Sequence, residues 1–127
     1  MKRTRLLAGA LLTAALAVPA IPAVASGGDV IRHGGCTGRT DWKLKASPEN
    51  GRIEVEGEID SNRSGQTWRW RLVHDGSVSA SGSRVTRAPS GSFEVRRVVV
   101  NMRGTDELVF RARNTRSGEI CRGVVNY

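Results

Sequence analysis

Residues 53–60 alternate without a break. Ile53, Val55, Gly57 and Ile59 are apolar or small, while Glu54, Glu56, Glu58 and Asp60 are acidic. A repeat of two is the period of a strand with one face buried and the other in water, and no helix satisfies it. The same period recurs. Trp42, Leu44 and Ala46 alternate with Lys43 and Lys45; Trp68, Trp70 and Leu72 oppose Arg69, Arg71 and Val73; Leu108, Phe110 and Ala112 oppose Val109, Arg111 and Arg113. Turn signals punctuate these runs: Pro48 with Asn50-Gly51, the polar stretch 61–65, Asp75-Gly76, Ala88-Pro89-Ser90-Gly91, and residues 103–106 and 115–118.

Between the strongest runs, residues 77–83 are rich in Ser and Gly and suit a sheet edge. Residues 93–101 are β-rich, but their alternation slips between Val95 and Val98, which predicts a bulge near Arg96-Arg97. Residues 119–125 make the last strand. About seven short strands at roughly ten-residue spacing, with no helical segment, predict an all-β chain. The expected fold is a single immunoglobulin/fibronectin-like antiparallel β-sandwich over residues 40–127, monomeric.

The N-terminal residues follow a different logic. Lys2, Arg3 and Arg5 precede an apolar run at 6–18 that is shorter than the ~20 residues of a membrane span. Pro19 and Pro22 follow, and Ala23-Val24-Ala25 supplies the small-x-small pattern of a cleavage site. Residues 1–25 read as a signal peptide cut between Ala25 and Ser26, giving a secreted product without a membrane anchor. Residues 26–39 are Gly-rich and aperiodic, and read as a flexible N-terminal arm.

Cys36 and Cys121 are the two cysteines of the chain. In an oxidising compartment, two cysteines without a competitor form one intramolecular disulfide. His33-Gly34-Gly35-Cys36 has a ligand-like spacing, but no second close pair completes a zinc set.

The chain has 20 basic and 12 acidic residues. Three of the basic ones lie in residues 1–25, so the exported part keeps a positive excess, almost all of it arginine, which favours encounters with anionic polymers and surfaces. Trp68 and Trp70, flanked by Arg69 and Arg71, could form a stacking platform. Alternatively they join Trp42, Phe93 and Phe110 in the core, the better use of large apolar groups in so small a sandwich. With the indoles inside, Arg69 and Arg71 point outward, as do Arg111 and Arg113 on a neighbouring strand, with Arg122 as a fifth member. In the other sheet, Glu54, Glu56 and Glu58 would lie between Lys43/Lys45 and Arg96, giving a nearly balanced face. The arginine face is the candidate anion-binding site, although a GC-rich coding sequence and solubility also account for arginine. Its partner would be an anionic polysaccharide, a wall polymer or a nucleic acid.

Catalytic residues are not evident. His33 in the arm and His74 at a hairpin corner read as surface histidines, and no motif marks a nucleophilic serine. Glu54, Glu56 and Glu58 read as a solvated strand face. No catalytic residue, cofactor-binding set or metal set is expected. The sequence therefore favours a secreted non-catalytic binding domain; the alternative is a small secreted hydrolase or protease inhibitor.

Two resemblances accompany this reading. The run from Leu108 to Asn114 with Ser117-Gly118-Glu119 resembles the F strand and F–G turn of fibronectin type III domains. Across the exported chain, Cys36-Thr-Gly, Thr40-Asp-Trp-Lys-Leu-Lys45, Gly65-Gln-Thr-Trp68, Ala88-Pro-Ser-Gly-Ser-Phe93 and Gly118-Glu-Ile-Cys121 resemble small secreted proteins of high-GC Gram-positive bacteria that lack an assigned activity. The resemblance implies export and a β-sandwich, and adds no chemistry.

Overall fold

Every alternating run is a strand. The computed structural model describes residues 28–127, and these form eight strands and no helix: β1 (Val30–Gly35), β2 (Asp41–Glu49), β3 (Arg52–Asp60), β4 (Thr67–His74), β5 (Ser77–Val85), β6 (Ser92–Val100), β7 (Glu107–Asn114) and β8 (Ile120–Asn126). They make two four-stranded sheets, β1-β2-β3-β6 and β5-β4-β7-β8, with every pairing antiparallel. The predicted signal peptide (1–25) and its cleavage point lie outside the described residues.

Two hairpins turn where a two-residue loop requires positive φ at both positions. β2 and β3 join through Asn50 (φ 47) and Gly51 (φ 77), and β4 and β5 through Asp75 (φ 46) and Gly76 (φ 82). The mirror-image turn matches the right-handed strand twist, so each hairpin holds its register.

The inward halves of the strands form one core. Leu44, Ile53, Ile59, Trp68 and Leu108 are fully buried, and Trp70 stacks on Phe110 with ring centres 6.2 Å apart. Gly57 lies under Phe110, where a Cβ would come within 2.7 Å of the ring. At the β1/β8 side, half-buried Trp42 is held between Gly34 and Gly123, both of which leave no room for a side chain. The indoles therefore serve the core and not an exposed platform.

Three expectations are corrected. Residues 26–39 are not simply an arm: Val30–Gly35 is a strand in register with β2 from Val30↔Ala46 to Gly35↔Asp41, so the sandwich has eight strands instead of seven and begins before residue 40. Backbone hydrogen bonds and the seat for Trp42 order this segment, and neither requires apolar alternation. The predicted bulge near Arg96-Arg97 is absent, because β6 pairs with β3 without interruption from Arg52↔Val100 to Asp60↔Ser92. The alternation slips because Arg97 takes an inward position at the sheet edge. The irregularity lies instead between β4 and β5, where Leu72 faces Ala80 and Val73 faces Val78.

Cys36 and Cys121 are bonded to each other. Cys36 follows β1 in one sheet and Cys121 lies in β8 of the other, so the bond crosses between the sheets. Beside it, the Thr37 N–H donates to the Ile120 carbonyl (2.9 Å) and the Ile120 N–H to Thr37 Oγ1 (3.0 Å).

Candidate functional site

Burial of Trp68, Trp70 and Leu72 fixes the outward side of β4, and burial of Leu108, Phe110 and Ala112 does the same for β7. The register then sets the arginines opposite one another. Arg69 faces Arg113, Arg71 faces Arg111, and Arg111 faces Arg122 on β8. Neighbouring strands lie ~4.8 Å apart and alternate residues along a strand ~6.8 Å apart, so the five guanidiniums project from a patch of about 10 by 7 Å at the backbone. All five predicted site residues are thus brought to one face.

Beside the arginines, β5 presents small residues. Arg69, Arg71, Arg111 and Arg113 stand against Ser81 and Ser83 along an open groove of about 530 Å³. No described carboxylate forms an ion pair with any of the five arginines. Glu107 is on the same side of β7 but at its other end, beyond the row Val73–Val109–Val124. Like charges directly opposite on neighbouring strands repel, so the array does not stabilise the sheet.

The opposite outer face differs in sign. Asp41, Glu49, Glu54, Glu56, Glu58, Asp60 and Glu94 project from β2, β3 and β6, against Lys43, Lys45, Arg52 and Arg96. The face is acidic, which corrects the expected near balance: Asp41, Glu49 and Glu94 join the carboxylates that the alternation of residues 53–60 puts there. Two of its four cations are engaged. Arg96 binds the Glu54 carboxylate, and Lys45 lies 3.3 Å from Asp29 and 3.8 Å from Glu56. The hydrogen bond and charge of Asp29, with Glu56 adding to them, hold the Lys45 amine above its ordinary pKa.

The histidines part company. His33 is exposed on β1, whereas His74 at the end of β4 is largely buried, its side chain 12% exposed, which corrects its reading as a surface residue. Its Nε2 lies 2.6 Å from Oδ1 of the fully buried Asp106 and 3.4 Å from Oδ2 of Asp75. Sequence reasoning missed this cluster because Asp106 sits 32 residues from His74, in a segment that reads only as a turn. No serine hydroxyl among the described residues bonds to His74.

No family model, curated protein or solved structure matches this chain.

Proposed function

We propose that this protein is a secreted, non-catalytic binding module that holds an anionic polymer on the outer face of β4, β7 and β8. The observation that carries the reading is the opposed array Arg69/Arg113 and Arg71/Arg111/Arg122, free of any described carboxylate partner. Five guanidiniums that repel one another in the free protein gain most from an oxyanion-bearing ligand, which each can bind through a forked pair of N–H donors. The groove against Ser81 and Ser83 adds hydroxyl groups that suit a polymer carrying both charge and hydroxyls.

A fibronectin-like type of sandwich is part of the same proposal. The order β2-β3-β6 in one sheet and β5-β4-β7-β8 in the other, with β1 added beside β2, supports that reading. Export is supported by the leader-like residues 1–25 and by the disulfide, which oxidising compartments favour.

Retention on immobilised heparin against a salt gradient tests the binding face. Arg69→Ser/Arg111→Ser should elute at distinctly lower salt than the wild type. Arg52→Ser/Arg63→Ser, which removes the same charge elsewhere, should elute close to it. Equal shifts in both variants would assign binding to total charge, and failure of the wild type to bind at physiological salt would overturn the proposal.

A further inference from the structure

A second cluster lies at the pole where β4 turns into β5. His74 Nε2 faces two carboxylates, Asp106 at 2.6 Å and Asp75 at 3.4 Å, and one ligand atom from each of the three residues lies within 4.8 Å of the others. An imidazole nitrogen carries one proton, so it can serve one of these carboxylates and not both. Asp106 is fully buried, and its Oδ2 has no hydrogen-bond partner. A buried carboxylate with an unserved oxygen, beside a second carboxylate and with one imidazole as the only side-chain donor, is a site short of positive charge.

The backbone holds this arrangement still. The Met102 N–H donates to Asp106 Oδ1 (3.0 Å) and the Glu107 N–H to Asp75 Oδ1 (2.8 Å). The backbones of Asp106 and Tyr127 exchange two hydrogen bonds, and that of Asp75 is fixed through its N–H to the Glu107 carbonyl. Such outer contacts orient metal ligands. A shallow depression bordered by His74, Asp75, Ser77 and Met102 leads from solvent to the cluster.

We propose that His74, Asp75 and Asp106 form a binding site for a divalent transition cation of the zinc type, held by one nitrogen and two carboxylate oxygens with a fourth position open to water. Four-coordinate zinc with ligands at ~2.0–2.2 Å places their atoms about 3.3 Å apart. The His74–Asp75 pair has that spacing, and the His74–Asp106 pair opens by about 0.7 Å as the metal replaces the shared proton. An imidazole ligand and a set of three protein ligands disfavour calcium, which takes six to eight oxygens. The site is at the far end of β4 from Arg69 and is independent of the polymer-binding face.

Titration of metal-free exported protein with Co²⁺, followed by visible absorption, and with Zn²⁺, followed by calorimetry, tests the site. The expected result is one equivalent bound, with affinity lowered at least about tenfold in both His74→Asn and Asp75→Asn. His33→Asn should bind as the wild type does. Zinc should shift the His74 imidazole signals in NMR and leave those of His33 unmoved, a readout on the wild type that does not depend on variants folding. Absence of stoichiometric binding at millimolar metal, unchanged affinity in His74→Asn, or zinc-induced shifts at His33 alone would overturn the proposal.

Discussion

The guanidinium carbon of Arg97 lies 5.1 Å from the ring centre of Trp70. Arg97 is the inward residue of β6 at the open side where β6 approaches β5, and Trp70 is the inward residue of β4 beneath it. Gly82 on β5 lets the indole reach that side, since a Cβ there would come within 3.1 Å of the ring. A half-buried charged side chain thereby covers the indole at the edge of the core, its Nη1 donating to the Arg96 carbonyl (2.7 Å).

Replacing Arg97 should expose the indole. Arg97→Ala is expected to lower stability by roughly 0.5–2 kcal/mol through loss of the cation–π contact and of its cover. Tryptophan emission should move to the red in the folded state. Urea unfolding with fluorescence detection checks both, and an unchanged midpoint would show that the contact contributes nothing.

The arginine array should lower stability while it serves binding. Arg111 has Arg71 on one side and Arg122 on the other. Arg111→Thr is therefore expected to raise stability by a few tenths of a kcal/mol at low ionic strength. The gain should shrink as added salt screens the repulsion. Denaturant midpoints in low and high salt measure it, and a destabilised variant would show that Arg111 has a structural role.

The disulfide closes a loop with a sequence separation of 85 residues. Cys36→Ser/Cys121→Ser should lose roughly 2–5 kcal/mol, because the unfolded chain regains the freedom that the bond removes. Calorimetric melting of the oxidised protein and of this variant gives the comparison. Equal melting temperatures would place the stability entirely in the core.

Acid should release the Glu54–Arg96 pair. The Arg96 hydrogen bond, against opposing desolvation, holds the Glu54 carboxyl below its ordinary pKa. With the folded value lowered, its contribution is fully present above the ordinary carboxylate range and is lost as pH falls through the lowered value. Stability of the wild type should fall below about pH 4.3 more steeply than that of Glu54→Gln. Parallel curves from urea midpoints between pH 7 and 3 would remove Glu54 from the acid response.

The parts legible in the sequence are those that obey a local period. Trp68-Arg69-Trp70-Arg71-Leu72 has two faces, and burying one of them dictates where both arginines go. The alternation around Phe110 does the same for Arg111 and Arg113. Three features obey no local rule. β1 is ordered by pairing with β2 and by Gly34 making room for Trp42, so its own residues show no strand pattern. Arg97 breaks the alternation because its neighbour is an indole on the other sheet. Asp106 meets His74 across two loops, and a spacing of 32 residues carries no signature.

The bond between Cys36 and Cys121 also decides how the domain bears load. Tension applied between residues that precede Cys36 and residues that follow Cys121 passes directly through the sulfur–sulfur link. β1 and the end of β8 can be pulled away, but the strands from β2 to β7 lie outside the path of the force. Stretched in this way, the protein acts as a short inextensible connector; the arginines of β4 and β7 keep their places, while Arg122, one residue beyond Cys121, lies on the segment that is pulled.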